Sequence, residues 1–257
     1  VHDVRHAVAL HAMNITILGS GDAFGSGGRF NTCLHVEAGK QRMLLDCGSS
    51  SMVALNKAGI ARNGISTLLF THFHGDHFGG LPGFLLDAQF VSRRKEPLTI
   101  AGPVGVEHRA WHALDADFPG AATNIWRFPI EFVEVSPEQP ATLAGLEIAA
   151  FAMVHDERAG PCQGYRLSHG GKVFAFSGDT AWTQALIPLA AGADVLLVEC
   201  YAYDLQLANH LDYRTLAAHR AELATPRIIL THMGLGMLAH QEPLPEERAH
   251  DGMVIAL

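Results

Sequence analysis

The chain has 257 residues, 48% of them hydrophobic and 17% charged, which fits a large globular domain with a substantial core and excludes a disordered or low-complexity chain. Its formal net charge is −8 with no basic stripe, so no nucleic-acid partner is expected. Membrane insertion is not expected either, because no apolar run approaches the length of a span and Ala7–Leu10 is too short for a signal-peptide core.

Apolar patterning predicts strands near 14–18, 33–37 and 41–46, forming opening hairpins with the loop Gly25-Ser26-Gly27-Gly28 between the first two. A helix near 49–59 and a buried strand over 65–70 come next. A second helix is expected over about 79–91, entered through Gly79-Gly80, and Arg93-Arg94-Lys95 reads as its solvated end. Strand 98–101 leads through Gly102-Pro103 into an amphipathic helix to about 114. The stretch 115–129 has no clear period, with Pro119-Gly120 as a turn. The aromatics in and beside it, Trp111, Phe118, Trp126 and Phe128, read as a packed surface loop or dimer contact, with the roof of a pocket as the alternative. Strands are expected at 130–135, 146–153, 163–168 and 172–177, helices at 181–190 and 213–223, and further strands at 194–199, 226–230 and 253–256. Strands dominate both halves with helices interspersed. That predicts an α+β arrangement of two sheets flanked by helices, not one doubly wound sheet.

Residues 1–12 read as an extension outside the fold, with His2, His6 and His11 unrelated to any site, and 13–257 as a single domain. Cys33, Cys47, Cys162 and Cys200 are widely spaced and form no C-x-x-C pair. They point to free thiols in a reducing, cytoplasmic setting, with two disulfides as the alternative. Gly19-Ser20-Gly21 begins a dinucleotide fingerprint, but Phe24 stands where the third glycine belongs and no helix pattern follows.

The chemistry is concentrated in Thr71-His72-Phe73-His74-Gly75-Asp76-His77, immediately after the strand 65–70. Alternation sends His72 and His74 to one side, and a turn at Gly75 lets Asp76 and His77 face a second point. That geometry suits two neighbouring ions. Imidazole favours zinc, iron and related metals, and the carboxylate adds a hard oxygen. Three further donors end strand-like runs: His155, Asp179 and His232. The expected cofactor is a pair of divalent ions, zinc first, with manganese or iron as alternatives.

These residues carry a resemblance. The HxHxDH string, the opening Ile15–Gly21 stretch, Leu45-Asp46-Cys47-Gly48, Ser177-Gly178-Asp179-Thr180 and Leu230-Thr231-His232 resemble the metallo-β-lactamase-fold hydrolases over nearly the whole chain. Pro97–Pro103, the stretch from His155 to Gly164-Tyr165-Arg166, and His210 resemble the ribonuclease Z and small-phosphodiesterase branch. The resemblance implies an αββα sandwich of two mixed β-sheets flanked by helices, with the site at one edge. It also implies that His72, His74 and His155 hold one metal, that Asp76, His77 and His232 hold the other, and that Asp179 bridges them. The β-lactam-cleaving members usually carry Cys at the position of Asp179, which argues against antibiotic hydrolysis.

A metal-bridging hydroxide is then the expected nucleophile. Asp76 both ligates and orients it, and His210 is the candidate non-ligand catalytic group. Asp46 is a candidate hydrogen-bond partner for a ligating histidine. The long arm with which ribonuclease Z grips tRNA would fall between His155 and Asp179, where this chain has only 161–178. The expected function is therefore hydrolysis of a small phosphodiester, cyclic or open. A lactonase or thioesterase on the same site, and a non-catalytic metal-binding protein, are the alternatives. The partner is expected to be a small-molecule substrate, and a homodimer is allowed.

Overall fold

The computed structural model describes residues 13–137 and 139–257, so the expected extension 1–12 lies outside the described residues. Strand alternation sorts the side chains onto two faces. On β1 (Met13–Gly19), Met13, Ile15 and Ile17 are fully buried and point into a central core. β2 (Cys33–Ala38) adds Leu34 and Val36, and β3 (Gln41–Leu45) adds Met43 and Leu45. The intervening Cys33, Leu44 and Leu68 belong to a second, outer cluster. The first sheet is completed by β4 (Thr67–Leu69), β5 (Leu98–Gly102), β6 (Ile130–Glu134) and β14 (Val254–Ala256), in the order β14-β1-β2-β3-β4-β5-β6.

The second sheet contains β7 (Ala141–Leu143), β8 (Leu146–Ala152), β9 (Gln163–His169), β10 (Lys172–Phe176), β11 (Val195–Glu199), β12 (Ile228–Thr231) and β13 (Glu247–Arg248). Its order is β13-β12-β11-β10-β9-β8-β7. Ile148, Tyr165, Leu167, Phe174, Phe176 and Leu197 meet the first sheet's inner residues in the central core. Each such large side chain, fully buried, contributes about 1.5–3 kcal/mol relative to an exposed one. Helices cover the outer face of each sheet, so the expected αββα sandwich is observed.

Register places the chemistry. β3 through β6 run parallel, as do β10 through β13. Parallel neighbours end at the same edge, so the loops after β4, β10, β11 and β12 emerge side by side. Among the described residues, no helix is long and apolar enough to cross a membrane.

Several elements differ from expectation for local reasons. The helix expected over 79–91 is divided into Leu81–Leu86 and a wider π turn, Asp87–Val91, and a short unexpected helix, Gly75–Phe78, precedes it. Pro82 in the first turn favours a new start there. The π turn buries Gln89, whose amide donates to the Ile125 carbonyl and accepts from the Arg127 amide. The helix expected at 181–190 is confined to Leu186–Ala190, because the Ala181 amide is engaged by the Val154 carbonyl. Tyr213–Ala218 is α-helical, and a 3-10 turn follows at Arg220–Glu222. The short β7 and β13 and the helix Leu235–Ala239 carry too little periodicity to be read from sequence. Phe128 is buried and Trp111 and Trp126 pack against the outer cluster of the first sheet, so these aromatics form a packed layer and not a roof over the strand-end edge.

The basic triplet is also corrected. Arg94 is only 2% exposed. Its guanidinium donates to the carbonyls of Glu96 at 2.8 Å and Pro97 at 2.7 Å and lies over the Phe128 ring. Removing it takes a charged donor from two part-buried carbonyls and empties a buried site. Arg94→Ala is expected to cost about 2–3 kcal/mol in denaturant unfolding, and Arg93→Ala, at an exposed position, less than about 0.5 kcal/mol. Equal midpoints for the two variants would contradict this account.

Candidate metal centre

Asp46 organises the strand-end edge. It follows β3, is fully buried, and holds φ 60, a left-handed conformation uncommon outside glycine. One carboxylate oxygen accepts from the Thr71 amide at 2.8 Å, and the other accepts from His77 Nδ1 at 2.7 Å. The Thr71 hydroxyl also donates to Asp46, and His72 Nδ1 lies 3.1 Å from that hydroxyl. Burial pushes the Asp46 carboxyl up, while His77 and the Thr71 bonds pull against that shift. The loop after β4 is thereby gripped at both ends of its His-rich string. His74 caps the short helix Gly75–Phe78, whose first turn delivers Asp76 and His77 in helical rather than open-turn geometry.

The remaining predicted residues arrive from the second sheet. His155 follows β8 and donates from Nδ1 to the Asn209 carbonyl at 2.7 Å. Asp179 follows β10 through Gly178, at φ 59. A Cβ on Gly178 would stand 2.8 Å from the Gln163 carbonyl and 3.0 Å from Thr71 Cβ, so the two sheets close here only around glycine. His232 follows β12 in a left-handed conformation, φ 57, with its amide on the Ser20 carbonyl.

Two donor sets converge. His72 Nε2 and His155 Nε2 each lie 3.1 Å from His74 Nδ1. With the outer nitrogens of His72 and His155 engaged as donors, their inner nitrogens present lone pairs to one point. Donor separations near 3 Å are those around an ion bound at about 2.0–2.1 Å. Asp76, His77, Asp179 and His232 form the second set. His232 Nε2 lies 3.1 Å from Asp76 and 3.3 Å from Asp179, and His77 Nε2 lies 3.0 Å from Asp179. His77 Nε2 is buried without a hydrogen-bond partner. Asp179 also lies 3.8 Å from His155 and 4.0 Å from His72, between the sets. The donor chemistry, the burial and the facing lone pairs fit divalent metal ions, and the cluster binds such ions.

The electrostatics agree. Burial lowers His72 strongly, and neighbouring imidazoles lower it further. His74 is lowered for the same two reasons. Burial also opposes a proton on His77 and His232, but Asp179 and the other carboxylates outweigh it, taking His77 up and His232 to about 10. Asp76 and Asp179 are held well below the usual carboxylate range despite burial, Asp76 chiefly by His77 and Asp179 chiefly by His232 and then His77. Without a cation, protons on imidazole neutralise the carboxylates.

His210 joins the same cavity, which is about 490 Å³ and is also lined by Phe24, Ser49, Tyr201 and Leu207. Its Nδ1 hydrogen-bonds Glu199, and its ring stacks on Tyr201 and His232. Sequence reasoning missed Glu199. It ends the otherwise apolar β11, is fully buried, accepts from the Thr180 amide at 2.7 Å, and lies 3.5 Å from His232 Nδ1. A carboxylate closing an all-apolar strand was the available signal.

Comparison with known proteins follows this geometry. A family model described as Anti-Pycsar protein Apyc1 matches residues 13–252. Ribonuclease Z of Mycolicibacterium gilvum is 30% identical over 242 residues, covering 86% of this chain and 84% of that protein. Ribonuclease Z of Lachnospira eligens is 33% identical over 157 residues, covering 61% of this chain and 48% of that protein, so the match spans about half of that relative's length. The metallo-β-lactamase fold protein YhfI from Bacillus subtilis superposes with a TM-score of 0.75 at 21% identity, covering 95% of this chain and 99% of its own. The expectation that nucleic acid is not a partner is corrected by these relatives: proteins named as ribonucleases align over most of the chain.

Cations and protons compete for His77 and His232. Both are raised, so the proton-bound forms dominate below their shifted values, and apparent metal affinity should fall as pH falls and rise towards the His232 value of about 10. Zinc titration by calorimetry near neutral pH, in buffers of different ionisation enthalpy, is expected to show net proton release. An affinity unchanged between about pH 6 and about pH 8 would contradict this competition.

Proposed function

The chain belongs to the Anti-Pycsar protein Apyc1 family, among the metallo-β-lactamase-fold metal-dependent hydrolases, and from that premise we propose a phosphodiesterase that holds two zinc ions and acts on a small, cyclic phosphodiester. The observation that carries this reading is the pair of convergent donor sets meeting at Asp179. His72, His74 and His155 would hold one ion, Asp76, His77 and His232 the other, and Asp179 both. Manganese or iron would fit the same donors. The hydrolase unit is proposed to be residues 13–257, because both sheets supply donors. The buried free thiols of Cys33, Cys47, Cys162 and Cys200 support a cytoplasmic setting.

When bound, the ions would supply a water acidified towards neutrality and positive charge for the phosphoryl oxygens. The chain's own residues do the rest. Asp76 lines the cavity and stays ionised, so it can accept a hydrogen bond from the attacking water and align it. His210 points Nδ1 at Glu199, leaving Nε2 for the leaving oxygen. Burial lowers His210, but Glu199 outweighs it and holds the imidazole above its ordinary value, which suits a general acid near neutral pH. Phe24 and Leu207 give the cavity an apolar rim. Its volume of about 490 Å³ falls in the range of small-ligand sites.

A second reading, an RNA phosphodiester, is favoured by the ribonuclease Z relatives. Turnover of a cyclic phosphodiester, a 3′-extended RNA, a lactone, a thioester and a chromogenic cephalosporin should be compared on zinc-, manganese- and iron-loaded protein. The cyclic substrate is expected to have the highest kcat/KM. Preference for RNA would establish the second reading, and preference for the lactone or cephalosporin would overturn both.

Two variants separate holding from chemistry. Asp179→Ala should lose metal on elemental analysis and lose activity with it. His210→Ala should keep its metal while kcat falls roughly 10²–10⁴-fold on an alkyl ester. The loss should be smaller with p-nitrophenolate, which needs no proton. Metal loss in His210→Ala would make it a ligand, and unchanged kcat on both substrates would make it structural.

A further inference from the structure

The outer nitrogens of the proposed ligands are held unequally. Asp46 takes His77, the Thr71 hydroxyl takes His72, and the Asn209 carbonyl takes His155, at 2.7, 3.1 and 2.7 Å. His232 Nδ1, buried 3.5 Å from Glu199, makes no hydrogen bond, and the other exception is His74. It is the most exposed of the set, with 36% of its side chain accessible, and its Nε2 faces Asp156 Oδ2 at 3.8 Å. That distance is one small rotation, or one bridging water, from a hydrogen bond.

Asp156 is not a free loop residue. It directly follows His155 and caps the turn Glu157–Ala159, accepting from the Arg158 amide at 3.0 Å. The turn is pinned to the metal loop where the Phe73 amide donates to the Ala159 carbonyl at 3.2 Å. Arg109 donates to the Arg158 carbonyl and lies over the Phe73 ring. One short segment therefore touches the metal loop between its first two histidines. It presents a carboxylate to the one partly exposed imidazole of the set, whose outer nitrogen has no acceptor within hydrogen-bond distance. The same carboxylate is gripped by Arg158 Nε at 2.8 Å and Nη2 at 2.7 Å. The Arg158 side chain is 89% exposed.

We infer that Asp156 is a positioning residue for His74, accepting its Nε2–H when the centre is loaded, and that Arg158 competes for that carboxylate and loosens the hold. This rests on the two-ion reading above. A carboxylate on the far nitrogen fixes the tautomer that leaves Nδ1 free for the ion, and such partners typically change metal affinity about 10–100-fold. The arginine makes the hold adjustable, because an exposed ion pair is weak and opens readily.

The test compares wild type, Asp156→Asn, Asp156→Ala and Arg158→Ala as full chains. Stepwise zinc affinities are read by competition with a chromophoric chelator. The shifted imidazole N–H resonances of the cobalt(II)-loaded proteins are read by NMR. Asp156→Ala is expected to weaken one of the two ions roughly 10–100-fold and to lose one N–H resonance to solvent exchange. Asp156→Asn keeps the turn's cap and an acceptor oxygen, so it should restore the resonance and part of the affinity. Arg158→Ala should bind at least as tightly as wild type. Equal affinities and spectra for Asp156→Ala and wild type would overturn the inference while leaving the two-ion reading intact. Equal losses in Asp156→Ala and Arg158→Ala would also overturn it, since the intact turn and not the carboxylate would then matter. A wild type that takes up no metal would overturn the two-ion reading and this inference with it.

Discussion

The structure depends on one electrostatic constraint: four carboxylates, Asp46, Asp76, Asp179 and Glu199, are buried along a single strand-end edge. Unscreened anions a few ångströms apart repel by several kcal/mol even at an effective dielectric of about 20. Burying each is costlier still without a partner. The fold meets this by bringing a ring of imidazoles to the same edge, each able to donate outward and coordinate inward. Parallel strands make the convergence automatic, because their ends share one side of the sheet. The backbone departures have the same origin. Asp46 and His232 are left-handed without being glycine, and Gly178 sits where a Cβ would strike Gln163 and Thr71. Arg93 and Ala144 are also left-handed, away from this edge, but Asp46 and His232 hold their strain where strands deliver charged groups.

Most of the donor set was legible in the sequence because its signals are local. Apolar runs ending in His or Asp identify strand ends, and the spacing within 72–77 needs no tertiary information. The two-sheet architecture was legible for the same reason: long apolar strands bury both faces and read as continuous runs. Glu199 and Asp156 were not, since their roles appear only when β11 meets the segment at His210 and when the turn after His155 meets Phe73. Helix lengths failed where tertiary bonds take backbone groups early, as at Ala181, or where a wide turn is stabilised by one buried amide, as at Gln89. Arg94 failed in the opposite sense. Its neighbours look like a solvated charge run, yet its side chain folds back into a buried site and its guanidinium donates to the Glu96 and Pro97 carbonyls.

The acidic composition misled for a physical reason. A net charge of −8 counts side chains only. Much of the negative charge in this region faces inward, where divalent cations would offset it, so it says little about the potential a phosphodiester meets at the cavity mouth. Exposed Arg158 and Arg109 sit at the turn packed on Phe73, one residue from His74 in the chain. Screening confines surface charges to about 8–10 Å at ordinary ionic strength. The local arrangement therefore outweighs the global count, and a global count cannot exclude an anionic polymer.

The two halves of the centre differ in how they are built. His77 and His72 are locked by buried groups from the strand core, through Asp46 and Thr71, and their positions are set when the first sheet packs. His74 and His155 depend on loops, on the Asn209 carbonyl and on the turn at 156–160. Rigid placement suits His72 and His77, which are fully buried beside the carboxylates. Loop-borne placement suits the half facing the cavity mouth, where a substrate must enter and leave and where a partly exposed imidazole can shift without disturbing the core. Asp179 belongs to both halves and is fixed by the glycine turn behind it.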